Sequence, residues 1–251
     1  MRISVQQSAA YRLDFFTHAF LAVGQAASEL FGLWIIYSNT DSLAGWSSSE
    51  MLALLGVFRI VIGIITLIIA PNMQTMMAEI RNGTFDYVVL KPINSQFYVS
   101  ARRVVFWRLA DVAVGVGMIA YAVNKLSLDL STLRIAAFLL MLGCGAVIVY
   151  CVWLALATTA FWFTRIANVE MVFWNLFEAG RYPVDIFRPW IRWGLTYVIP
   201  LAMLTTLPAA TLLGRTGPWH VAGAVALASV TLLLASWFWR VGLKRYTGAS
   251  A

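Results

Sequence analysis

Apolar residues in this chain run in long unbroken blocks rather than alternating with polar ones. Blocks at about 15–37, 51–70, 104–123, 134–157 and 219–240 each approach or exceed the roughly 20 residues that a helix needs to cross a bilayer. Short stretches rich in Ser, Asp, Gly, Lys or Arg separate them. The pattern predicts an all-α polytopic membrane protein, a single transmembrane domain over residues 1–251, with six spans.

The sixth span is the ambiguous one. Hydropathy alone makes 193–213 the fifth span in chain order. Yet Pro183, Pro189, Pro200 and Pro208 fall within 26 residues, and each removes a backbone donor and kinks a helix. They fit better with a fifth span at 166–180 followed by a re-entrant segment, 182–215, buried against protein as irregular backbone in a membrane must be.

Two further segments have helical periodicity. In residues 1–15, Val5, Ala9 and Leu13, followed by Phe16, share one face, which predicts an amphipathic helix in the membrane interface. After the second span, which is expected to stop at Pro71-Asn72, Met73, Met76, Met77 and Ile80 recur at i, i+3, i+4 and i+7. Asn82-Gly83 is a stop signal and Lys91-Pro92 a second break. Residues 72–103 thus read as a compact helix-turn element, either a plain connection or a lever for a partner.

Composition and charge agree with this class. Hydrophobic residues make up 61% of the chain and charged ones 12%, against roughly 25% charged in a soluble domain. The net charge of +7 lies beside apolar runs and forms no stripe, so it reads as topology and excludes a nucleic-acid partner. The 38–50 loop has no Lys or Arg, whereas 72–103 holds Arg81, Lys91, Arg102 and Arg103. By the positive-inside tendency the first is external and the second cytoplasmic, with both termini inside.

Catalytic chemistry has no foothold. There is no GxxxxGK[ST] phosphate loop, no His-Glu-x-x-His and no metal-ligand spacing around Cys144 or Cys151. Gly115 to Ala120 matches a dinucleotide fingerprint formally, but inside a span it reads as small-residue helix packing. Five polar residues within the apolar blocks do stand out: Glu29, Arg59, Glu170, Asn175 and Glu178. A charge at the bilayer centre costs about 2.5–3.5 kcal/mol on insertion scales. These residues line a substrate path, or else form a structural ion pair of Arg59 with Glu29 or Glu170.

Several patches carry a family resemblance. They are Gly45-Trp46-Ser47, Glu50-Met51-Leu52, Ile80-Arg81-Asn82-Gly83-Thr84-Phe85-Asp86, Leu90-Lys91-Pro92-Ile93, Tyr182-Pro183, Val198-Ile199-Pro200, Leu207-Pro208-Ala209 and Trp239 to Tyr246. With them the chain resembles permease subunits of type-2, exporter-type ABC transporters, and more narrowly a six-span group that pairs with a second permease and an ATPase. The resemblance implies export of a substrate by alternating access, in a bacterial plasma (inner) membrane, driven by two copies of an ABC ATPase. ATP and Mg would sit on that partner, with no cofactor in this chain. It also implies a heterodimer with a related permease, surrounded by membrane lipid. Residues 1–15 would be the connecting helix. ATPase coupling would fall to Met76, Met77, Ile80, Arg81, Asn82, Gly83, Thr84, Phe85, Asp86, Lys91 and Pro92. Without the resemblance, an ion-coupled secondary transporter is the alternative that the intramembrane charges suggest.

Overall fold

The computed structural model describes the backbone of residues 2–163, 167–198 and 200–246, and the side chains of 16–163, 171, 173–196 and 200–246. Among these residues the fold is all-α, with eleven helices and no strand. They are α1 (Arg2–Tyr37), α2 (Ser48–Arg81), α3 (Asp86–Val89), α4 (Ser95–Ala101), α5 (Leu109–Lys125), α6 (Thr132–Thr158), α7 (Ala167–Glu178), α8 (Pro189–Trp193), α9 (Leu201–Leu204), α10 (Thr206–Leu212) and α11 (Pro218–Arg245). Five of these, α1, α2, α5, α6 and α11, are long and apolar enough to cross a membrane, α5 together with the turn before it. The protein is a multi-pass membrane protein.

Where a fifth span was expected, no described helix is long and apolar enough to cross a membrane. Helix α7 has 12 residues, about 18 Å at 1.5 Å per residue, which is too short alone. A 3-10 turn at Ala179–Arg181 adds about 6 Å, and extended Tyr182 and Pro183 carry the chain on to Val184. Nor does 193–213 form one helix. It breaks at a π turn, Gly194–Val198, at Pro200 and at Thr205.

The 182–215 segment starts and ends at the same end of the bundle. Asp185 accepts from the Trp46 indole at 3.3 Å and Arg215 pairs with Glu50 at 2.6 Å, both in or beside the loop between α1 and α2. Between those points the chain reaches the middle of α6, where a Cβ on Gly145 would lie 3.1 Å from the Met203 carbonyl oxygen.

The second span does not stop at Pro71. Helix α2 passes through it to Arg81 as one 34-residue rod. Proline has no N–H for the carbonyl of residue i−4, here Leu67. A π turn, Ile65–Ile69, widens the helix at that point, and the Leu67 carbonyl instead accepts from the Val105 N–H at 2.8 Å. At the start of α2, Ser47 and Glu50 form a reciprocal capping box. Helix α5 packs on α2 through glycines. A Cβ on Gly56 would lie 2.7 Å from the Gly115 carbonyl oxygen, whereas one on Gly117 would meet nothing. The formal dinucleotide fingerprint is therefore a packing seam.

At the N-terminus the backbone of 2–15 continues α1 without a break. Of the expected amphipathic face, Phe16 is exposed, and the side chains of Val5, Ala9 and Leu13 lie outside the described residues.

Candidate functional site: a clamped hairpin and a buried charge network

Residues 72–103 form a hairpin at one end of the bundle. Its two arms are tied at the base by Asn72, which is fully buried. The Asn72 amide donates to the carbonyls of Ile68 and Arg103 at 2.6 and 2.7 Å, and its oxygen accepts from the Arg103 N–H at 3.0 Å. About two turns further along α2, Arg102 forks onto Glu79 with bonds of 2.8 and 2.7 Å. Such bidentate charged pairs fix orientation as well as distance. At the end of α2, Gly83 takes φ +69° and the Thr84 N–H returns to the Glu79 carbonyl, a left-handed helix stop that suits glycine. Asn94 then caps α4, and Gln96 and Ser100 bond to Ser236 of α11 and Tyr150 of α6.

The expected coupling residues divide into two groups. Met76 and Phe85 are wholly buried, and Met77 and Ile80 pack on the core. The methionine stripe therefore faces inward and holds the hairpin rather than presenting it. Phe85 inserts edge-on between Phe161, Trp239 and Tyr246, joining the hairpin to the turn after α6 and the end of α11. Asp86 is half-buried beside Tyr246. Burial first, and that carboxylate second, push the Tyr246 phenol above its ordinary value. Arg81, Asn82, Thr84, Lys91 and Pro92 are exposed, with Gly83 half-buried between them. Around them Tyr87 is 73% and Leu90 79% exposed, so the tip is apolar with basic residues among its neighbours. The Lys91 ammonium bonds the Tyr98 hydroxyl and lies 3.8 Å from its ring centroid. That cation lowers the Tyr98 pKa.

Inside the bundle, six charges from four parts of the chain meet. Arg59 on α2, 2% exposed, donates to Glu29 of α1 at 2.8 Å, to Asp111 of α5 at 3.4 Å and to Gln25 at 3.3 Å. Arg108 reaches the other Asp111 oxygen at 3.6 Å. Arg181 lies 3.5 Å from Glu29 and 2.7 Å from Glu178. Three guanidinia thus meet three carboxylates: the Arg59, Glu29 and Asp111 side chains are buried, and the more exposed Arg108 and Arg181 supply the second cation that each buried carboxylate faces.

Of the sequence candidates, Arg59, Glu29 and Glu178 join this network, whereas Asn175 is exposed and outside it. The side chain of Glu170 lies outside the described residues. Asp111, Arg108 and Arg181 complete the network without having been singled out. Asp111 carries the same signal as Arg59, a charge inside an apolar block, while Arg181 falls just past the expected 166–180 span and carries no such signal. A small cavity of about 100 Å³ lies between Glu29 and Arg181.

Among the described residues no group of three or more His, Cys, Asp or Glu side chains could hold a metal ion. No curated protein and no solved structure matches the chain. One family model does: it is described as "ABC-2 family transporter protein" and matches residues 23–250, nearly the whole chain, and the chain belongs to that family.

Proposed function

We propose that this chain is the exporter-type membrane subunit of an ABC transporter, driven through the tip of the 72–103 hairpin by a separate ATPase. Family membership makes it an ABC transporter permease that associates with an ATPase subunit. The finer reading adds two ATPase copies, a second related permease in a heterodimer, and a bacterial inner membrane with both termini and the hairpin in the cytoplasm. ATP and Mg belong to the partner. Residues 182–215 are then a re-entrant segment entering from outside.

The observation that carries this reading is the clamped hairpin. Swinging a two-state equilibrium from 1:99 to 99:1 takes about 5.5 kcal/mol of differential interaction. A limp loop could not deliver that to the bundle. Here Asn72, the Glu79–Arg102 fork and Phe85 fix the hairpin at its base, middle and turn, leaving only the tip for a partner. The ion-coupled alternative loses its motive, because Glu29 and Arg59 neutralise each other.

The test is assembly and ATP turnover. Tyr87→Glu with Leu90→Glu should leave the purified chain folded, abolish co-purification of the ATPase and remove permease-dependent ATP hydrolysis. Arg81→Glu should weaken both less. Full assembly and unchanged hydrolysis in the double variant would sink the hairpin assignment.

A further inference from the structure

At the end of the bundle opposite the hairpin lies a cavity of about 570 Å³, within the roughly 300–1,000 Å³ range of small-molecule sites. Its apolar walls include Ala202, Met203, Leu207 and Ala210 from the 182–215 segment, and its polar lining includes Asp185, Arg192, Arg215 and His220. The charged groups form one connected chain. Arg192 meets Asp185 at 2.7 Å, Asp185 accepts from Trp46, the Arg215 guanidinium lies 5.0 Å from the Trp46 ring centroid, and Arg215 meets Glu50. Each of the two lining arginines is thus paired with one carboxylate, Arg192 with Asp185 in the lining and Arg215 with Glu50 just behind it. Arg192 is 55% exposed, so its planar fork of five donors is accessible beyond the bond to Asp185.

The depth of the cavity is marked by aromatic residues. Trp190, Trp193 and Trp219 are 72%, 60% and 85% exposed, Trp193 itself lines the cavity, and Trp219 precedes the lining His220. Exposed tryptophans of a membrane protein gather at headgroup level.

We infer that this cavity binds a zwitterionic phospholipid of the leaflet opposite the hairpin. The phosphate would lie toward Arg192 and Arg215, the ammonium toward Asp185, and the start of an acyl chain along Met203 and Leu207. Arginines whose charge is already offset by paired carboxylates favour a zwitterion over an anion. The apolar walls explain why the occupant is a lipid and not a soluble zwitterion. The site is independent of the ATPase reading; only the name of the leaflet, the outer one, rests on it.

Native mass spectrometry of the full-length, delipidated protein, with its assembly partners retained, tests this. Phosphatidylethanolamine and phosphatidylcholine should bind at least about tenfold tighter than phosphatidylglycerol, a difference of about 1.4 kcal/mol. Asp185→Asn with Arg192→Gln should erase that preference. Ala210→Phe, which fills the cavity without touching the charges, should weaken all three lipids; it guards against misfolding in the charge variant. Equal binding of phosphatidylglycerol, binding of glycerophosphoethanolamine as tight as that of the lipid, or Ala210→Phe leaving affinity unchanged would each overturn the inference.

Discussion

Replacing Arg59 by Met is the most direct probe of the buried network. The change removes the central cation and leaves Glu29 and Asp111, which are 8% and 6% exposed, without their nearest partner. Breaking a buried ion pair from one side costs about 3–5 kcal/mol in soluble proteins. Inside membranes, single interhelical hydrogen bonds average only about 0.6 kcal/mol, because the dissociated helices find other partners. The geometry decides between these figures. Arg59 joins two carboxylates and an amide on two helices, so it is more than one bond. However, Arg181 and Arg108 remain at 3.5 and 3.6 Å from the two carboxylates, so neither is left wholly unpaired. An intermediate loss of about 2–3 kcal/mol follows. For a chain of this size that is a fall in melting temperature of about 4–12 °C.

Thermal unfolding in a mild detergent, followed by size-exclusion fluorescence, measures it. Arg59→Lys should lie between wild type and Arg59→Met, since an ammonium cannot fork as a guanidinium does. The triple change Arg59→Met, Glu29→Gln and Asp111→Asn should recover most of the loss, because no buried charge is then stranded at the centre. If Arg59→Met stays within about 0.5 kcal/mol of wild type, or the triple variant is worse than the single one, the reasoning is wrong.

Other outcomes follow from the same contacts. Asn72→Leu should raise hydrogen exchange at the Arg103 and Val105 amides by opening the base of the hairpin, while exchange in α6 stays unchanged. Gly115→Leu should destabilise by about 1–3 kcal/mol through overpacking against Gly56, whereas Gly117→Leu should be near neutral; denaturant midpoints separate them. Phe85→Ala should cost about 3–5 kcal/mol and expose the Trp239 indole to a fluorescence quencher. In alkaline absorbance titration, the difference between wild type and Tyr98→Phe should show Tyr98 ionising below its ordinary value of 10.0, and Lys91→Gln should return it upward. A depressed pKa contributes stability that is present above 10.0 and lost as pH falls through the folded value. Tyr246, whose pKa is raised, has the opposite sign and loses its contribution as pH rises.

The long spans were legible because a 20-residue apolar run admits few other structures. The inward turn of Met73 and Met76 was not. Helical spacing shows that residues share a face, but the direction of that face depends on α6 beside it. Pro71 misled for a related reason: a proline ends a helix only when the carbonyl it frees finds no other donor. Here Val105, 38 positions beyond Leu67, supplies one, and no local pattern announces it. The charges in the spans marked the network, yet the pairing of Glu29 with both Arg59 and Arg181 depends on α7 ending where it does. The proline cluster showed that 182–215 is broken, while its return to Glu50 through Arg215 is visible only in three dimensions.

The continuity of α2 changes how the two sites relate. Arg59 and Arg81 are 22 positions apart on one helix, about 33 Å at 1.5 Å per residue, so a displacement at the hairpin is delivered along a rod and not through a loop. The rod has one soft point between them. The π turn at Ile65–Ile69 is where the backbone ladder is already irregular, and such turns are sites of bending. Val105 and the Asn72–Arg103 clamp bridge that point to the segment leading into α5, and α5 itself carries Asp111, the second partner of Arg59. A force on the hairpin tip therefore enters α2 and α5 together, and both meet again at the buried charges. Helix α1 joins that pair through Glu29 and Gln25, with Ala22 and Ala26 as the described apolar residues it buries fully. Polar contacts with defined partners, more than apolar area, hold the first span to the rest. Of the five long helices it is the one whose position the network sets most directly.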